Sequence, residues 1–325
     1  MEMWDRIGRF AAYAAALALA PYVVIKASWV LGSLVGALPI GAGFNTAGWV
    51  VLNTVTIGMA SAGILVALSL VRPWGLRVPG RPLVLCAWLA VGFLVPMLPY
   101  AMLSSLFTHA ADVKPKSSND ATMPGWEAAL IEIGFVGMGL GLALGLPAYL
   151  RRRWPATFAG RVDPADPRRL RAAVLGTAAV GVFWLTWAVG SDLGVTHVGE
   201  ADASWRALYA VDGTWSLIAG AATYALWTRE RTKTPRWLLV AAAWIGSGSL
   251  FAWSGWKLAI TLYLMIARPA DISLPENLAV AAVVHVVAIA SGATLARALM
   301  RGVVRSSSPG PLEHSSPDSL EHTAP

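Results

Sequence analysis

What most constrains this chain is the recurrence of apolar runs of about 18 residues or more, separated by short clusters of arginine. At about 1.5 Å of helical rise per residue, such a run crosses a hydrocarbon core roughly 30 Å thick. The runs lie near residues 10–34, 48–71, 82–106, 127–150, 172–190, 212–227, 237–267 and 277–299. The sixth is short, and the seventh is overlong for one crossing, with tilting or a break near Gly246, Gly248 or Gly255 as ways to accommodate it. Only 13% of the 325 residues are charged, against about 25% in an ordinary soluble domain. The polar surface is too small to cover a globule. The expected fold is therefore an all-α integral membrane protein with about eight transmembrane helices.

The net charge of +7 raises nucleic acid as a partner, but the placement of the charges points to lipid. With the amino terminus inside, 19 of the 25 lysines and arginines fall in cytoplasmic segments and 4 in outer ones. The remaining two, Lys26 and Lys257, sit within apolar runs. This asymmetry predicts a multi-pass protein of the cell membrane with both termini cytoplasmic, its basic loops facing anionic headgroups. Many of the 16 tryptophans flank the runs, among them Trp4, Trp74, Trp126, Trp154, Trp205 and Trp237, where an amphipathic ring suits the interface. The first run continues apolar beyond Pro21, which argues for an uncleaved span rather than a signal peptide. The single cysteine, Cys86, lies in a run and excludes an intramolecular disulfide.

Four regions follow: a first membrane half over 1–150, a basic cytoplasmic linker over 151–171, a second half over 172–301, and a tail over 302–325. The tail is rich in Ser, Pro, His and Glu and is expected to be disordered. The halves share short matches. Trp29, Gly32 and Gly36 align with Trp187, Gly190 and Gly194, and Ala87, Trp88 and Gly92 align with Ala243, Trp244 and Gly248. Two parallel four-helix repeats account for this, and chance matches in a vocabulary rich in Ala, Gly, Trp and Leu are the alternative. The segment holding Pro21, Tyr22, Lys26, Trp29, Gly32 and Gly36 also resembles the first span of a broad set of actinobacterial multi-pass membrane proteins. That resemblance covers about 16 residues and implies a membrane fold without a particular activity.

Ionisable side chains within the runs are the leading functional candidates, because a charge in lipid needs a partner or water. Lys26, Glu132, Lys257 and His285 all fall in the predicted outer half, with Asn53 at similar depth. The functional expectation is one outward-opening binding cluster, in which Glu132 neutralises one lysine and the other attracts an anionic ligand or couples to a proton. Against it stands snorkelling of the lysines to the headgroups and ordinary structural pairing of the rest. Gly134, Gly137, Gly141 and Gly145 recur at three or four residues and predict a close helix–helix face. No HExxH, Gly-x-Ser-x-Gly, Walker or paired-cysteine pattern is present, so no cofactor, metal site or catalytic residue is assigned and an enzyme is disfavoured. The outer segment with Asp192, His197, Glu200 and Asp202 reads as a solvated acidic loop. Binding or transport of a small solute or ion is the leading expectation. A non-enzymatic accessory subunit with a membrane-protein partner is the alternative.

Overall fold

A computed structural model describes residues 2–38, 40, 45–94, 97–100, 125–153, 166–228, 234–267 and 274–305. Among these the chain is helical and has no strand, as the apolar runs require. The elements are α1 (Glu2–Leu34), α2 (Thr46–Ser69), a short α3 (Pro73–Arg77), α4 (Gly80–Leu94) and α5 (Gly125–Arg153). After these come α6 (Pro167–Ala188), α7 (Ala203–Thr228), α8 (Arg236–Ala267) and α9 (Leu278–Arg305). Seven segments are long and apolar enough to cross a membrane, and the protein is a polytopic membrane protein.

The seven do not include α7, which has 26 residues, about 39 Å of helix. Its apolar character is diluted by Asp212, Ser216 and Thr223, all of which are buried inside the protein. The sixth run looked short in the sequence for this reason. The helix begins at Ala203, nine residues before Asp212, because the Asp202 carboxylate accepts the Trp205 backbone N–H at 2.7 Å and satisfies a free donor of the first turn. In α8, the glycines that suggested a break lie within one continuous helix of 32 residues. Gly246 and Gly248 serve instead as close crossing points, while Gly255 faces open space.

Helix ends also differ from the sequence boundaries where a cap is present. Asp166 accepts the N–H groups of Arg168 and Arg169, and Pro167 occupies the first turn, so α6 starts inside the stretch read as a linker. With α5 continuing to Arg153, the connection between the halves is shorter than 151–171; residues 154–165 lie outside the described set. At the other end α9 runs past Gly302 to Arg305, and the rest of the expected tail, 306–325, is likewise outside it. The end of the third run beyond Tyr100, and the outer lysines Lys114 and Lys116, also fall outside.

Packing divides into two apolar cores. One is built from α1, α2, α4 and α5, around Leu19, Tyr22, Met138, Leu142 and Tyr149. The other is built from α6 to α9, around Trp184, Trp187, Tyr209, Leu250 and Leu295. In the first, Gly134, Gly137 and Gly141 lie against Ala11, Ala15, Ala18 and Leu19 of α1, and Gly145 against Gly8 and Ala12. A Cβ at Gly141 would stand 2.5 Å from the Ala11 carbonyl oxygen and from the Ala15 Cβ, so only glycine permits this approach. The two cores meet mainly where α4 crosses α8. There Gly92 lies against the Gly248 backbone, and the Trp88 indole donates to Ser247 Oγ at 3.2 Å. Gly246 faces α7 and the Ser247 carbonyl faces Gly292 of α9, which makes α8 the hub of the second half.

Candidate functional site

The sequence placed five side chains in one cluster; the structure gathers four of them into two groups. In the first half, Lys26 Nζ on α1 donates to Asn53 Oδ1 on α2 at 2.9 Å. The same ammonium lies 4.1 Å from the Trp29 ring centroid and 5.7 Å from that of Tyr22, within range of attraction by the ring faces. Asn53 is fully buried and donates in turn to the Trp49 carbonyl at 2.8 Å. Trp29 stacks on Trp49 at 5.7 Å and donates its indole N–H to Glu127 at 3.1 Å. The acid that engages α1 is thus Glu127 at the start of α5. Glu132 is exposed and makes no hydrogen bond or ion pair with a described residue. Five residues on from Glu127, it lies about 140° further round the helix, which turns it off the face that meets α1. Lys26 and Asn53 satisfy each other, a closed structural pair.

The second half holds the other two candidates in a different setting. Lys257 of α8 lies with its ammonium 5.9 Å from the ring centroid of Tyr209, one turn before Asp212 on α7, and follows by one turn Trp253, which bonds Asp212. It forms no ion pair within 4.0 Å with either carboxylate of this region. Asp212 of α7 is 2% exposed. Its Oδ2 accepts the Trp253 indole N–H at 2.9 Å, while Oδ1 is buried with no hydrogen-bond partner. His285 of α9 is 1% exposed, sits 5.9 Å from the Trp184 ring, and leaves Nδ1 unpartnered. Trp184 Nε1 and Ser254 Oγ are buried and unpartnered as well. Helix register brings these atoms to one level. Gly292 meets Leu250 and Phe251 across the antiparallel α8–α9 pair, so His285, two turns back along α9, lies beside the turn of α8 that carries Ser254 and Lys257.

A second carboxylate, Glu276, closes the end of the second half at which α7 and α9 begin. It is 3% exposed, and its two oxygens accept the Trp205 indole N–H at 2.8 Å and the Tyr209 hydroxyl at 3.0 Å. Backbone pairing holds it inward. The Thr196 N–H donates to the Pro275 carbonyl, the Asn277 N–H donates to the Gly194 carbonyl, and Val195 pairs with Glu276 in an isolated antiparallel bridge. Gly194 makes this fold-back possible with φ of +72°, a conformation costly for any side-chain-bearing residue. The Trp187 indole ties the same segment down by donating to the Leu193 carbonyl at 2.7 Å. The loop read as a solvated acidic stretch therefore has structural duties: Asp202 caps α7 and His197 Nδ1 lies 3.1 Å from the Leu274 carbonyl oxygen.

Asp212, Glu276 and Glu127 were not singled out from the sequence. Asp212 appeared only as the edge of a short run, though an acid inside a 26-residue helix is the signal that would have found it. No family model matches the chain, and neither a curated protein nor a solved structure matches it. The site's geometry is thus the sole ground for a functional reading.

Proposed function

We propose that this protein binds a small solute or ion within the membrane, at the group formed by Asp212, Lys257 and His285, and carries it inward from the outer face. One observation carries the reading: a buried carboxylate with an oxygen lacking any partner stands near an ammonium with which it forms no ion pair. A charged side chain in such surroundings is costly unless something completes it, and an arriving solute does so. By helix length, Asp212 lies about 14 Å from the start of α7 and Lys257 about 15 Å from the end of α8. That depth suits a binding site near the midplane of the bilayer. In this reading α7 is the eighth span, both termini are cytoplasmic, and the protein resides in the cell membrane. The two halves are parallel repeats, a view that rests on the short sequence matches of Trp29, Gly32 and Gly36 with Trp187, Gly190 and Gly194.

Reconstitution into liposomes tests this. A panel of inorganic ions and small organic solutes is scored by tracer uptake or by current on a solid-supported membrane. Wild type moves at least one member, and Asp212→Asn loses that movement while remaining folded. Uptake unchanged in Asp212→Asn sinks the assignment of the site. For orientation, single cysteines at Ser191 and Arg169 in a Cys86→Ala background should react with an impermeant maleimide from outside and inside the cell, respectively.

The accessory-subunit reading has one observation in its favour. Gly58 and Ala62 of α2 form an exposed small-residue face, with nothing within 4 Å of a Cβ built at Gly58. A partner helix there would give a disulfide or photo-crosslink at position 58, and its absence would leave the solute-binding reading alone.

A further inference from the structure

The chemistry around Asp212 narrows what the site can hold. The Lys257 ammonium has three donors, and no described residue accepts from them. Asp212 Oδ1 is an acceptor without a donor. Trp253, one turn before Lys257, bonds Asp212, and Tyr209, one turn before Asp212, faces the ammonium; the two opposite charges thus share a level yet remain apart by more than an ion-pair distance, so each presents an open pole. A bare cation placed on Asp212 would meet repulsion from Lys257. A bare anion placed on Lys257 would meet repulsion from Asp212 and from Glu276, whose carboxylate accepts the Tyr209 hydroxyl at 3.0 Å. A molecule with a positive and a negative end avoids both costs and adds no net charge to the membrane interior.

Resting on the solute-binding reading above, we infer that the occupant is a small zwitterion, its amine on Asp212 and its acidic group on Lys257. The remaining unpartnered atoms fit that occupant. Trp184 Nε1 is a further donor for a carboxylate, Ser254 Oγ serves either end, and His285 Nδ1 accepts or donates according to its tautomer. The partners Trp253, Trp205 and Tyr209 hold the two carboxylates in place and leave Asp212 Oδ1 as the free acceptor.

Purified protein in nanodiscs of neutral lipid provides the test, with thermal unfolding followed by tryptophan fluorescence. The probes are glycine, γ-aminobutyrate and glycine betaine, with methylammonium, sodium and acetate as single-charge controls, all at saturating concentration. At least one zwitterion raises the midpoint by about 2–4 °C or more, the single-charge probes do not, and the rise disappears in Lys257→Gln and in Asp212→Asn. Lys257 is only partly buried, so its variant keeps the test open if the aspartate variant does not fold. If methylammonium or sodium stabilises through Asp212 as well as any zwitterion does, the zwitterion inference falls and solute binding at the site stands. If no probe stabilises the wild type, or if stabilisation survives both substitutions, both fall.

Discussion

Removing the Glu276 carboxylate is the sharpest single perturbation of this structure. The side chain is 3% exposed and accepts from Trp205 at 2.8 Å and from Tyr209 at 3.0 Å. In Glu276→Ala both donors stay buried without an acceptor. Each orphaned group costs about 1–3 kcal/mol, which gives roughly 2–6 kcal/mol for the pair. Interhelical hydrogen bonds in membranes run weaker than this scale, near 0.6 kcal/mol on average, so the low end, about 2 kcal/mol, is the expected value. Glu276→Gln separates hydrogen bonding from charge. Its amide oxygen still accepts the indole N–H, and its amide N–H donates to the Tyr209 oxygen once that hydroxyl turns away. The charge assistance and the acceptor of the Tyr209 O–H are lost, about 1 kcal/mol on the same lowered scale, while the Trp205 bond is kept. Chemical unfolding in mixed micelles, read by tryptophan fluorescence, ranks the three proteins. The expected order is wild type, then Gln, then Ala. An alanine variant within about 0.5 kcal/mol of wild type would refute the claim that this acid anchors the end of the second half where α7 and α9 begin.

The glycine face of α5 gives a second expectation. Gly141→Leu forces side-chain atoms into the Ala11 and Ala15 backbone region and costs about 1–3 kcal/mol or more, whereas Gly58→Leu, facing open space, leaves the midpoint unchanged in the same unfolding assay. Lys26→Met strands the fully buried Asn53 oxygen and lowers stability by about 1–2 kcal/mol. Because that pair is structural, the variant retains solute binding in the nanodisc assay; loss of binding with stability intact would move the ligand site to the first half. Arg153→Ala frees the carbonyls of Leu76 and Val78 and leaves that of Gly75 to the Tyr149 hydroxyl alone, and trypsin then cuts after Arg77 sooner than in wild type.

The membrane architecture was legible in the sequence because it depends on run length and composition, which need no knowledge of neighbours. The glycine face of α5 was legible too, since spacing alone puts Gly134 and Gly141 on one side of a helix. The site was only partly so. Depth along a span could be read for Lys26, Lys257 and His285, but partner choice depends on which helices become adjacent and how they rotate. Lys26 meets Asn53 because α1 packs on α2, and Asp212 meets Trp253, one turn before Lys257, because α8 packs on α7. Glu132 fails to join either group by rotation rather than depth. Glu276 illustrates the harder case. It sits between a proline and an asparagine like any loop acid, and only the fold-back at Gly194 turns it inward.

The most direct measurement is reaction of a single cysteine at Ser254, in a Cys86→Ala background, with a charged, membrane-impermeant methanethiosulfonate added from outside the cell. Ser254 is fully buried in the structure and its hydroxyl has no partner. Modification from the outside, slowed by a solute that stabilises the protein, is the predicted result and shows that the Asp212 group opens to water. A cysteine that never reacts, while Ser191→Cys in the same background does, would mean that these polar atoms belong to a sealed core and that the binding site does not exist.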